Sequence, residues 1–156
     1  MADERPDFEP PRFVEGDRVA LLRTRWNVDI VNQLHSSSDQ RLQELGAAVE
    51  TIWVPGAFEL PTAAALAARS RRYAAIVCLG CVIRGETPHF DYVAGNCASG
   101  LTQVGIDTGV PTIFGVLTVN TPQQAHDRAN GTHGNAGTEA ANAAAEMVAL
   151  RRYFAK

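Results

Sequence analysis

The sequence predicts a single-domain, three-layer α/β/α fold in which helices cover both faces of a four-stranded parallel sheet. Short apolar runs alternate with longer stretches of helical periodicity, in the order β-α-β-α-β-α-β-α-α. Residues 74–83 form an unbroken apolar run, as suits one strand buried on both faces. The chain's 156 residues, 46% hydrophobic and 20% charged, suffice for one domain with a substantial core.

Residues 1–16 carry Pro6, Pro10 and Pro11 among charged side chains. They read as an arm without a fold of its own, ahead of a domain spanning residues 17–156. Phe8 and Phe13 are unusual on a solvated tail and suit a segment that packs on a neighbouring surface. The first strand covers residues 18–25, and Asn27 stands where it can cap the helix that follows. Val31, Leu34, Ser38, Leu42 and Leu45 form that helix's inner stripe, and Gly46 stops it.

Residues 49–54 make the second strand, ended by Pro55-Gly56. An alanine-rich helix then runs from near Glu59 to about Arg69, with Pro61 tolerable in its first turn. After the central strand, Thr87 reads as a cap and Pro88 as the first helical residue. Gly95, Gly100 and Gly105 inside this third helix each cost ~1 kcal/mol relative to alanine. That cost suggests that another backbone approaches closely, in an assembly that of a second subunit. Residues 112–119 make the fourth strand, and Thr121-Pro122-Gln123-Gln124 has the pattern of a capping box. A short helix ends at Asn130-Gly131, and the last helix has the stripe Ala140, Ala143, Met147, Leu150 and Phe154.

A net charge of −3 argues against nucleic acid or an anionic membrane as partner. No apolar run approaches membrane-spanning length, and the polar, proline-rich start is not that of a signal peptide. A cytoplasmic protein is expected, and three cysteines, an odd number, fit a reducing compartment. Cys78 and Cys81 have C-x-x-C spacing, but positions three apart on a strand face opposite ways. They are expected to be core residues rather than metal ligands, and no metal site is expected.

Ligands of open parallel sheets bind beyond the carboxyl ends of the strands. Those ends deliver Trp26, Glu59, and the turn Arg84-Gly85-Glu86-Thr87-Pro88-His89. Trp26 either stacks on a flat ligand or covers the sheet edge. Glu59 either serves a ligand or only answers its helix dipole. Arg84 beside a helix N-terminus favours an anion, unless it is a solvated ion-pair partner. His89 stands two residues beyond the candidate anion site, and histidine is the side chain suited to exchanging protons near neutral pH.

Four stretches carry a resemblance: GAFELP (56–61), GCVIRGETPHFDYV (80–93), FGVLT (114–118) and GNAGTEAA (134–141). In this order they resemble the lumazine synthases, over residues 13–154. The resemblance implies a flavodoxin-like fold whose N-terminal arm adds a strand to a neighbouring subunit. It implies a cofactor-independent condensation in riboflavin biosynthesis, joining ribitylaminouracil to dihydroxybutanone phosphate. Trp26 would stack on the pyrimidine. Asn27, Ala57, Phe58, Glu59, Cys81, Val82 and Ile83 would contact the ring and ribityl chain. Glu86, Thr87 and Arg128 would hold the phosphate, with His89 as acid/base and Phe114 closing the pocket from an adjacent subunit. It also implies a homopentamer able to close into an icosahedral shell. One departure is Ala136, where many relatives carry lysine, which puts phosphate affinity in doubt. The competing reading is a non-catalytic flavin- or lumazine-binding or shell-forming protein on the same fold. Against a carrier, Arg25-Trp26-Asn27-Val28-Asp29 lacks the Ser/Thr/Gly-rich phosphate loop such a module needs.

Overall fold

The computed structural model describes residues 8–156. Four strands, β1 (Arg18–Thr24), β2 (Ala48–Val54), β3 (Ala75–Ile83) and β4 (Thr112–Val119), form one sheet in the order β2-β1-β3-β4. All neighbouring strands run parallel. The helices are α1 (Val28–Glu44), α2 (Leu60–Arg69), α3 (His89–Thr108), α4 (Pro122–Asn130) and α5 (Ala136–Phe154). A 3₁₀ turn, Ala57–Glu59, leads into α2.

Strand alternation splits the core in two. Val19 and Leu21 of β1 face the layer built with α1 and α5, while Ala20 and Leu22 face the layer with α2. The central strand β3 is buried from Ala75 to Cys81, as its unbroken apolar run demands. Cys81 joins the first core and Cys78 the second, so the C-x-x-C pair is divided by the sheet. Burial pushes the Cys81 and Cys97 thiols up to about 11 and Cys78 higher still. Among the described residues, no helix is long and apolar enough to cross a membrane.

Several local expectations shift. Phe13 sits in the chain's own core, 7% exposed, and its amide donates to the Leu45 carbonyl at 2.9 Å. Packing against this chain rather than a neighbour therefore accounts for that aromatic. No strand is found between Phe8 and Gly16, and residues 1–7 of the expected arm lie outside the described ones. Helix α3 begins one residue late, at His89, with Pro88 at the cap position and the Thr87 hydroxyl 3.4 Å from the His89 amide.

At Gly100, a Cβ would meet the Pro61 ring of α2, so it is the chain's own proline that comes close. Gly95 faces open space and Gly105 has ordinary clearance within this chain, so the chain's own backbone closes on neither. The buried face of α5 is Gly137, Ala140, Ala141, Ala144, Ala145 and Val148. Met147, Leu150 and Phe154 of the expected stripe are instead exposed. The reason is close packing on α1: Gly137 lies against the Leu34 backbone, and only small side chains fit that approach.

Candidate active site

A cleft of about 530 Å³ opens at the carboxyl end of the sheet. Two turns, the end of β3 and the start of α3 build its walls. The β1–α1 turn supplies Trp26, whose side chain is 72% exposed, and Asn27. The 3₁₀ turn after β2 supplies Ala57, Phe58 and Glu59. The end of β3 contributes Cys81, Val82 and Ile83, and α3 contributes His89 and Val93.

Gly56 lets these walls close together. A Cβ there would stand 3.1 Å from the Glu59 carboxylate and 3.3 Å from the Trp26 ring. Both side chains thus crowd one stretch of bare backbone, which a larger residue would push apart. The Glu59 carboxylate and the His89 ring have no hydrogen-bond or ion partner among the described residues. In an exposed site this costs little, since water serves both groups. Together they present an aromatic face, an acceptor and a proton-exchanging ring to whatever enters.

Asn27 occupies the cap position of α1 but does not cap it. Its backbone is left-handed (φ 55°, ψ 51°), and its side-chain amide donates to the Cys81 carbonyl at 2.9 Å. Arg84 is engaged too. Its Nε donates to Asn120 Oδ1 at 3.0 Å, its Nη2 reaches Asp91 Oδ1 at 3.4 Å, and its guanidinium lies over the Phe90 ring. Within this chain Arg84 is thus a solvated ion-pair partner.

Four of the expected site residues do not line this cleft. Glu86 and Thr87 are exposed in the β3–α3 turn beside it. Arg128 is half-buried on α4 and donates to the Gln124 carbonyl one turn back, at 3.1 Å. Phe114 is 43% exposed on edge strand β4, paired with Cys78, three strand positions short of Cys81. That separation is roughly 10 Å along the sheet. Ala136, at the start of α5, packs on the first core. Thr24 and Gly56 line the cleft without having been anticipated. Thr24 could have been found from strand alternation, since it shares a face with Ala20 and Leu22.

An open parallel sheet with aromatic, carboxylate and imidazole groups at its carboxyl edge defines an α/β protein with a small-molecule site. The comparisons narrow that class. A family profile described as 6,7-dimethyl-8-ribityllumazine synthase matches residues 16–152. Proteins named 6,7-dimethyl-8-ribityllumazine synthase from Stenotrophomonas maltophilia strains R551-3 and K279a are each 48% identical over 142 residues. Each match covers 89% of this chain and 92% of the relative. This chain belongs to the 6,7-dimethyl-8-ribityllumazine synthase family.

Proposed function

We propose that this chain condenses 5-amino-6-(D-ribitylamino)uracil with 3,4-dihydroxy-2-butanone 4-phosphate. The products are 6,7-dimethyl-8-ribityllumazine, phosphate and water, in the penultimate step of riboflavin biosynthesis. The observation that carries the reading is the meeting of Trp26, Phe58, Glu59 and His89 around one cleft in a member of this family.

Trp26 offers the flat face that a pyrimidine stacks on. Glu59, with Ala57 and Phe58, holds the ring and ribityl chain, and Cys81, Val82 and Ile83 form the opposite wall. Joining an amine to a ketone requires protons to be moved on and off nitrogen and oxygen. His89, unengaged at the cleft wall, performs that transfer. Departure of phosphate is eased by positive charge and backbone amides at the leaving oxygens. Arg128 and the amides of Glu86 and Thr87 supply them, with the Glu86 carboxylate turned away.

Phe114 and Arg128 act in the cleft of a neighbouring copy, in a homopentamer able to close into an icosahedral shell. Two features support this. Both residues lie outside their own chain's cleft. An apolar groove of about 470 Å³, lined among others by Leu101, Ile106, Met147, Leu150 and Phe154, also awaits cover. The enzyme works in the cytoplasm, where its unpaired cysteines stay reduced.

The test is to mix the folded protein with both substrates and record the absorbance and fluorescence of the lumazine product. Product should form without added cofactor. Folded, assembled protein that makes none would leave the non-catalytic reading standing.

A further inference from the structure

We infer that Asn27 is a positioning residue that sets the width of the cleft, holding the Trp26 wall at a fixed distance from the β3 wall. The inference deepens the proposed function and rests on it for the identity of the ligand. Asn27 was expected to cap α1 and to touch substrate, and its geometry points to a different task.

The pairing of β1 with β3 ends at Arg23–Leu79. Past that point β1 parts from β3, stays paired with β2 at Thr24, and then forms the turn carrying Trp26, while β3 continues to Ile83. The Cys81 carbonyl, on the side that β1 has vacated, would lose its partner there. The Asn27 side-chain amide donates to it instead, at 2.9 Å. Because the partner is a carbonyl, the group facing it must be the NH₂ end of Asn27. That end is therefore engaged within the protein rather than offered to a ligand.

The bond spans two walls of one cleft. Asn27 directly follows Trp26, and Cys81 directly precedes Val82 and Ile83. The backbone adds a second constraint. Asn27 sits at φ 55°, a left-handed conformation that asparagine tolerates and most side chains resist. Its carbonyl still accepts the first helical bond from the Val31 amide, at 3.1 Å, so the turn is tied to α1 as well. The residue that directly follows Trp26 is thereby tied to two elements, with the Trp26 ring standing against Gly56. Such a ring is preset for stacking and loses less freedom when a ligand binds.

Two variants separate the contributions. Asn27→Asp keeps the size and the left-handed tolerance but aims a carboxylate oxygen at a carbonyl oxygen. Asn27→Gly keeps the backbone conformation and deletes the tie. Both are made in a Trp53→Phe background, which leaves Trp26 as the sole tryptophan, since the chain has two. Phenylalanine retains an aromatic ring under the Arg23 guanidinium.

In the ligand-free protein, the fluorescence anisotropy of Trp26 should fall in both variants while circular dichroism is unchanged. The KM for the pyrimidine should rise about tenfold in Asn27→Asp, and less in Asn27→Gly, as expected for losing one part-buried hydrogen bond. The kcat, and the KM for the butanone phosphate, should move little. Unchanged anisotropy in both variants overturns the inference, even if pyrimidine binding is weakened, since Asn27 would then be a ligand contact. An equal rise in both KM values with a lower melting temperature also overturns it, by revealing a general fold defect. The anisotropy needs no substrate. If the wild-type protein turned over nothing, the proposed function would fall while the positioning result still stood or fell by itself.

Discussion

The two ends of the sheet differ in how their polar side chains are engaged, although Arg84 and Asn27 at the carboxyl end also have partners. At the amino end they are bonded to one another. Asp17 accepts from both terminal nitrogens of Arg152 and from the Val14 amide, and Arg18 pairs with Glu50 at 2.9 Å. Tyr73 donates to the same Glu50 at 2.5 Å. At the carboxyl end, Glu59 and the His89 ring have no such partner among the described residues, and Trp26 and Phe58 stand exposed. Engaged charges hold an architecture, whereas unengaged groups converging on a cleft are available to a ligand. Substitutions at the carboxyl end should therefore change catalysis without stability, and those at the amino end the reverse.

The largest effect is expected at His89. His89→Ala should lower kcat by about 10²–10⁴-fold, the usual contribution of a general acid/base group. The melting temperature should stay that of the wild type, because the ring holds nothing in the fold. A catalytic rate equal to wild type would remove His89 from the mechanism.

Arg128→Ala sharpens the contrast within the site. It should raise the KM for the butanone phosphate roughly ten- to a hundredfold, as expected for loss of a charge-assisted bond. The KM for the pyrimidine should change little, since Trp26 is left untouched. If Arg128 serves a neighbour's cleft, unfolding His89→Ala and Arg128→Ala chains together and reassembling them regenerates some wild-type pockets. Activity should then exceed that of either parent, whereas mixing without reassembly gives only the average. Verified co-assemblies showing no gain would place His89 and Arg128 of one pocket on one chain.

How much of this was legible in the sequence depends on the range of the interactions. The succession of strands and helices along the chain, the capping box of Thr121 and Gln124, and the division of Cys78 from Cys81 follow from period and local chemistry. So does the cleft's membership at Trp26, Glu59 and His89, because strand ends locate it. What failed required knowing what comes close in space. Asn27 reads as a cap locally, but its amide is claimed by Cys81, 54 residues away. The α5 stripe of large side chains lost to a face of alanines because α1 approaches too closely for Met147 or Leu150. Gly100 did signal a close neighbour, and only the fold says that it is Pro61. Arg128, one arginine on a short helix, carries no local signal and was found through the resemblance alone.

The smallest effect is expected at the amino end, from the Asp17–Arg152 pair. The side-chain hydrogen bond from Arg152 holds the Asp17 carboxyl below the usual carboxylate range, partly opposed by burial. A depressed folded-state value means that the pair's stabilisation is fully present above the unfolded value, about 3.9. It is lost as the pH falls through that value towards the lower folded one. Arg152 stays charged throughout this range, so Asp17 alone sets the window. The Arg152 side chain is 44% exposed, so solvent screens the pair and the effect is modest. Asp17→Asn should melt about 2–4 °C below wild type at neutral pH, the shift that ~1 kcal/mol produces in a domain of this size. The two melting curves should draw together as the pH falls from about 3.9 and meet below the lower folded-state value, where wild-type Asp17 is neutral too. Turnover at temperatures well below melting should be unchanged, in contrast to His89→Ala. A gap in melting temperature that persisted undiminished into acid would show that packing, not charge, is what Asp17 contributes. A loss of turnover in Asp17→Asn would break the division of labour between the two ends of the sheet.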